Sequence, residues 1–556
     1  IAMSGGILDA DESSTVSGDL TQSADITIDV ATGKTLTYSG AAVNLGVKTL
    51  TLSGGGTFGN TNALLLNNAD SKLLLNSITV GSASTSANSL GIDVNADSTV
   101  TSLSVGHTTP VSIAANKILS GGITVTAGSL KLAETGTLAS NVIMSGGTLD
   151  ADETLTVSGA LTQTADIAID VATGKTLTYS GAAIGVGANT ITLSGGGILV
   201  SGGLTLNNAN SKLQLDSITL DSASTSADSL GLDVNANSTV TSLSVGHITP
   251  ISIATGKSLS GAITVTAGSL KLNETGTLAS SVSMSGGRLD TDETSTVSGA
   301  LSQTADITID VATGKILTYS GSAISVGANT ITLSGGGNLV SGGLTLNDAD
   351  SKLLLNSITV DSVTTSANSL GLDVNADSTV TSLSVGHITP VSIASNKTLS
   401  GVITVSAGLL KLNETGTLAS TVTMSGGTLD ADKNLTVSGA LTQTADITID
   451  VATGKTLTYS GATISVGANT ITLTGGGSLV SGGMTLNNAN SKLLLNSITL
   501  DSASTSANSL GIDVDANSTV TSLSVGHITP VSIAAGKRLS GAITVSAGSL
   551  KLNETG

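Results

Sequence analysis

Residues 251–272 read ISIATGKSLSGAITVTAGSLKL, and this stretch decides the fold. Ile251 and Ile253 alternate with polar residues, Ile263 and Val265 do the same, and Leu270 and Leu272 open a third short run. Strict alternation over about four residues marks a strand with one buried face. Gly, Ala, Ser, Thr and Lys fill the gaps, with Gly and Ser in the roles that turns require. Working outward from Ile251, aliphatic starts recur at Leu270, Leu289, Ile307, Ile331, Leu353 and Leu370 and return at Val391. The intervals are 19, 19, 18, 24, 22, 17 and 21 residues. The residue two positions on is aliphatic at six of the seven starts; the exception is Thr291, where the other copies have Ala. Short strands repeating about every 20 residues predict windings of a parallel β-solenoid.

A longer period lies over the short one. The string MSGG begins at Met3, Met144, Met284 and Met424, and SVGH places His107, His247, His387 and His527 at steps of 140. Tyr38, Tyr179, Tyr319 and Tyr459 follow the same spacing, with one extra residue in the first copy between Gly56 and Asn67. The reading is all-β: a parallel β-solenoid of about 20 residues per coil, seven coils per repeat. Its repeats are 1–143, 144–283, 284–423 and an incomplete 424–556. At about 4.8 Å per coil, one repeat advances ~34 Å and the chain ~130 Å. Gly556 falls in phase with Gly276 and Ile1 with Val282, and neither end carries a polar cap, which predicts a window of a longer array. Tandem β-sandwiches are the alternative; they need longer strands and a core Trp that is absent.

Corners are legible too. In SIA-x-x-K the residue before Lys is Asn116, Gly256, Asn396 or Gly536. Gly and Asn interchange where the backbone takes a positive φ. SGGG and NNAN read as further corners, with stacked Asn forming hydrogen-bonded ladders.

Composition excludes several functions. Among 556 residues only four Tyr and one Phe are aromatic, hydrophobic residues are 39%, and charged residues 11%. A net charge of −19 repels phosphate backbones, so no nucleic acid is expected. No apolar stretch reaches a membrane-spanning length and the aromatic girdles of a membrane barrel are lacking, so no membrane insertion is expected. Without Cys there are no disulfides or thiolate metal sites, which suits a secreted chain.

No catalytic, cofactor-binding or metal residue is assigned. The four histidines, ~34 Å apart, cannot share an ion and read as corner residues. Asp9, Asp11 and Glu12, Asp25 and Asp29, and Asp93 and Asp97 form acidic groups of the kind calcium takes. The calcium-binding nonapeptide and the EF-hand spacing are both missing, so solvated turn carboxylates are expected. Asp150 and Asp152 have a spacing that places both on one strand face, but similar groups fill every copy. The only arginines, Arg288 and Arg538, occupy different positions, and no catalytic fingerprint occurs, so no enzyme is expected. Thr264 and Thr266 begin the Thr-x-Thr array of an ice-binding face, but Ser283 and Ser285 follow at the next coil. Lys34, Lys175, Lys315 and Lys455 read as solvated corner residues rather than glycan ligands. The tyrosines are the only recurring candidates for a carbohydrate platform and read better as packed or edge residues.

The phrases TLTVSGALTQTADI (154–167), DVATGKTLTYSG (170–181) and NTITLSGGG (189–197) resemble the repeats of very large bacterial surface proteins, namely adhesins of the filamentous-haemagglutinin type and autotransporter passengers. The resemblance spans the chain and lies in repeat style. It implies a secreted, cell-surface stalk or fibre, with self-association into fibres or bundles, whose contacts with a host or neighbouring cell lie in regions outside this chain. A carbohydrate-binding or polysaccharide-processing passenger is the alternative.

Overall fold

A computed structural model describes residues 1–554 and consists of β-strands joined by turns, with no helix among the described residues. The phase of Gly556 lies outside the described residues. Two compact units are present, Ile1–Ser281 and Val282–Gly556. Each is a parallel β-solenoid, as the alternation predicts.

In the first unit one ladder runs through Ile26–Val30, Thr49–Ser53, Lys72–Asn76, Gly91–Val94 and onward, each strand bonded in parallel to the next. The facing sheet is built from longer strands such as Thr79–Thr85, Ser98–Val105 and Ile118–Val125. Where the chain turns within this sheet, one long strand gives way to two short ones: Ile118–Val125 pairs with both Thr137–Leu138 and Asn141–Met144. Where it does not turn, a bulge between Val100 and Leu103 takes up the bend. The second unit repeats this arrangement through Ile307–Val311, Thr330–Ser334, Lys352–Asn356 and Gly371–Val374.

The interior is narrow and aliphatic. Leu50, Leu52, Leu64, Leu66, Leu73 and Leu75 are fully buried from consecutive windings. A winding buries too little to stand alone, so its stability is shared with its neighbours. Thr291, the exception to the aliphatic pattern, still points inward: it is fully buried and its hydroxyl has no partner, whereas Ala151 and Ala431 fill the same place without a polar atom.

Register corrects the sequence spacing in detail. Ile307 pairs with Ile331 and Ile331 with Leu353, as predicted. Leu353, however, pairs with Leu372 rather than Leu370, Leu289 with Ile309 rather than Ile307, and Ile251 with Leu272 rather than Leu270. Alternation fixes which face is inside, and a two-residue slip preserves that face, so periodicity cannot choose between such registers. The corner chooses. Gly371, at φ +81°, starts the strand, and Leu370 stays outside it, 51% exposed.

The predicted corners are present. Asn116, Gly256, Asn396 and Gly536 have φ of 63°, 72°, 60° and 73°. Gly54 and Gly55 of SGGG also lie at positive φ. Ser77, Ser217, Ser357 and Ser497 take φ of 56–60° as well, which the sequence does not announce.

Candidate functional site: the polar contacts between windings

The recurring polar residues meet across adjacent windings. Asp25 Oδ1 accepts the Thr49 N–H at 2.8 Å, and Asp166, Asp306 and Asp446 hold the equivalent amides of Thr190, Thr330 and Thr470. Asp97 accepts from Ile118 N–H at 3.0 Å; in the other copies Asn237, Asp377 and Asn517 hold Ser258, Thr398 and Arg538. Asp and Asn interchange because each presents an oxygen at the same place. These groups cap backbone amides of the next winding. We expect Asp97→Asn to change stability by under ~0.5 kcal/mol and Asp97→Ala to lower it by ~1 kcal/mol. Urea unfolding with and without calcium checks this, and a calcium-dependent loss in Asp97→Asn would oppose the capping role.

The other acidic groups are similarly engaged. Asp29 accepts the Ser53 hydroxyl, and Asp170 and Asp310 accept those of Ser194 and Ser334. Asp93 pairs with Lys72 at 2.6 Å, and Glu12 with Lys34 at 2.5 Å. Asp9 stacks in register on Asp29. Among the described residues no three His, Asp or Glu side chains converge as metal ligands. Lys175 and Lys315 pair with Glu153 and Glu293, whereas Lys433 replaces that Glu in the winding before Lys455. These lysines are part-exposed, so each pair contributes little. Arg288 reaches Asp310 at 2.6 Å and Asp290 at 3.6 Å.

Asp150 and Asp152 do share one face, and Lys131 joins them at 3.4 and 2.7 Å. The sequence did not show that Asp150 also stacks in register on Asp170, nor that Asp430 stacks on Asp450 beside Lys411. Burial pushes the Asp430 carboxyl up, Asp432 and Asp450 push the same way, and Lys411 opposes. One of its oxygens is buried without a partner. A raised folded-state pKa means that this stabilising contribution is full below the unfolded carboxylate range and is lost as pH rises through the folded value. Asp430→Asn should therefore match or exceed wild-type stability at neutral pH, and its advantage should vanish toward the acid end of the carboxylate range. Urea midpoints across pH check this; an advantage that grows on acidification would contradict it.

Asn side chains mostly serve backbone rather than each other. Asn207 and Asn347 accept the amides of Gly187 and Gly327. A side-chain rung joins Asn67 to Asn44 at 3.0 Å. The expected Asn ladder is thus largely replaced by capping, because the corner amides lack other acceptors.

One boundary in each copy is built differently. Strand Leu161–Gln163 pairs back to Asn141–Met144, and Ile184–Gly185 pairs forward to Leu204–Leu206. Among the described residues no ladder pair joins these two strands to each other. Side chains bridge the gap instead. The Tyr179 hydroxyl accepts the Leu161 N–H at 3.1 Å, and Gln163 Nε2 donates to the Val186 carbonyl. Tyr38, Tyr319 and Tyr459 accept from Leu20, Leu301 and Leu441, while Gln22, Gln303 and Gln443 donate to Leu45, Val326 and Val466. All four tyrosines are buried, so they are packed residues and form no exposed sugar platform. Phe58 stacks on Tyr38 with ring centroids 6.0 Å apart. The glutamines were not singled out in the sequence; their signal is the Leu-x-Gln phrase that breaks apolar alternation at one place in every copy.

The remaining candidates lie at the surface, and Thr266 Oγ1 donates to the Val245 carbonyl of the preceding winding at 3.4 Å. His107, His247, His387 and His527 are exposed at corners, with His247 3.8 Å from Asp228. Thr264 and Thr266 are exposed, and Thr264 stacks on Ser244, which in turn stacks on Ser224. Hydroxyl-lined hollows of about 250 and 240 Å³ recur at Ser77–Thr79 with Asp97 and at Ser357–Thr359 with Asp377.

The class these features define is the parallel β-solenoid. No family model matches the chain, and no curated protein or solved structure gives a significant match.

Proposed function

We propose that this chain is a structural protein: a load-bearing β-solenoid shaft of a large extracellular surface protein or filament, without enzymatic activity or a resident cofactor. One observation carries the reading. The recurring carboxylates, amides and tyrosines meet backbone or side chains one winding away, and so are used to hold winding to winding. Parallel ladders then pass load along the stack, and the net negative charge favours solubility. The resemblance to adhesin and passenger repeats supports a cell-surface setting, which antibody labelling of intact cells tests.

The mechanical claim has its own test, stretching the full chain between its ends in a force instrument. We expect resistance with rupture starting at the side-chain bridge. Release from one bridge to the next, as from Gln163 to Gln303, frees 140 residues, about 460–500 Å of extended chain. Tyr179→Phe with Gln163→Leu leaves the Leu161 amide unpaired, removes ~1–3 kcal/mol, and should lower the first rupture force. A chain that extends without resistance would end the reading.

A further inference from the structure

We propose that the corner carrying Leu90, Leu230, Leu370 and Leu510 is a lateral contact between two copies of this chain. This rests on the shaft reading and names its partner.

The four leucines are 51–53% exposed. In the next winding of the same corner stand Ile248, Ile388 and Ile528, at 46%, 44% and 38% exposure, with Thr108 in the first copy. The two windings are tied at this point: Ser229 N–H donates to the Ile248 carbonyl at 3.2 Å, and Ile248 N–H to Asp228 at 2.9 Å. No other exposed large aliphatic position stays both apolar and exposed in all four copies. Ile118 becomes Ser258, Thr398 and Arg538; Ile143 becomes Ser283 and Thr423; Ile198 becomes Asn338 and Ser478. The corner leucine alone stays apolar and half-exposed in all four copies, as a covered side chain would.

Charge and period choose the occupant. On a chain of net charge −19, the corner segments 86–91, 106–109 and 126–129 and their counterparts carry no Asp, Glu, Lys or Arg except Asp228. Like chains can approach there without meeting like charges. Within the first unit, the run of paired strands from Gly91–Val94 to Gly231–Val234 puts ~34 Å between Leu90 and Leu230. Leu370 and Leu510 repeat that spacing within the second unit, and a second copy carries the same interval. One corner is far short of the ~800 Å² per partner of a stable interface, so corners must act together.

Sedimentation velocity of the full chain, over rising concentration and salt, reads the association. We expect concentration-dependent pairing that salt strengthens by screening the net charge. Changing all four leucines to Ser should weaken it at least about tenfold, and changing them to Met should retain it. Ile248→Thr, Ile388→Thr and Ile528→Thr, which install the first copy's residue, should weaken it partially and guard against misfolding of the Ser variant; circular dichroism checks each fold. A single sedimenting species under all conditions, or equal association in the Ser and Met variants, overturns the proposal. Capture of a lipid or glycan surface by the monomer, with no pairing, overturns it too. The force measurement is made on single chains, so the shaft reading can stand or fall separately.

Discussion

Gly231→Ala is expected to open the stack at one boundary and remove about 3–5 kcal/mol. Gly231 lies at φ +81°, and a Cβ there would sit 1.8 Å from the Pro250 carbonyl oxygen of the next winding. Neither partner can yield cheaply, because both are backbone in a bonded ladder. Gly91, Gly371 and Gly511 meet Pro110, Pro390 and Pro530 in the same way, at 1.9 Å. Gly174 supplies the control: its φ is +76°, but nothing lies within 4 Å of a Cβ. Gly174→Ala should cost only the conformational term, about 1 kcal/mol. The difference between the two variants isolates the close approach of one winding to the next. Denaturant unfolding with hydrogen exchange reads both quantities. Equal losses in the two variants would mean that the windings at Gly231 are not in contact.

Leu353→Ala should be comparably severe, at about 2–5 kcal/mol. Leu353 is fully buried and lies in register between Ile331 and Leu372. Shortening it leaves a void that rigid ladders on either side cannot close. Because stability in a stacked array is a nearest-neighbour property, the damage should concentrate in the strands Thr330–Ser334, Lys352–Asn356 and Gly371–Val374. Hydrogen exchange should speed there and remain near wild type at Ile26–Val30, far away in the chain. A uniform loss of protection throughout would argue for global two-state unfolding instead.

The Gly and Asn corners could be read directly in the amino-acid sequence. The exchange of Asn116 for Gly256 at one corner reported a positive φ, because only those residue types enter that region cheaply. The roles of the acidic groups were less visible. Asp97 and Asn237 look like a charged residue and its neutral substitute until the acceptor geometry shows one shared task, capping an amide about 21 residues on. The side-chain bridge was invisible in half: Tyr179 recurs conspicuously, but its acceptor role depends on a ladder that stops at Gln163 and resumes at Ile184, and no local pattern records a missing rung.

By itself the sequence determined the parallel solenoid, its aliphatic interior and the place of its corners, because side-chain alternation and φ preferences act over a few neighbouring residues. Only the tertiary structure decided that Leu353 lies against Leu372 while Leu370 stays half in solvent, and which amide each carboxylate holds. Those choices are made between windings about 20 residues apart, where two registers share the same inward face and the stacking of backbone on backbone selects one.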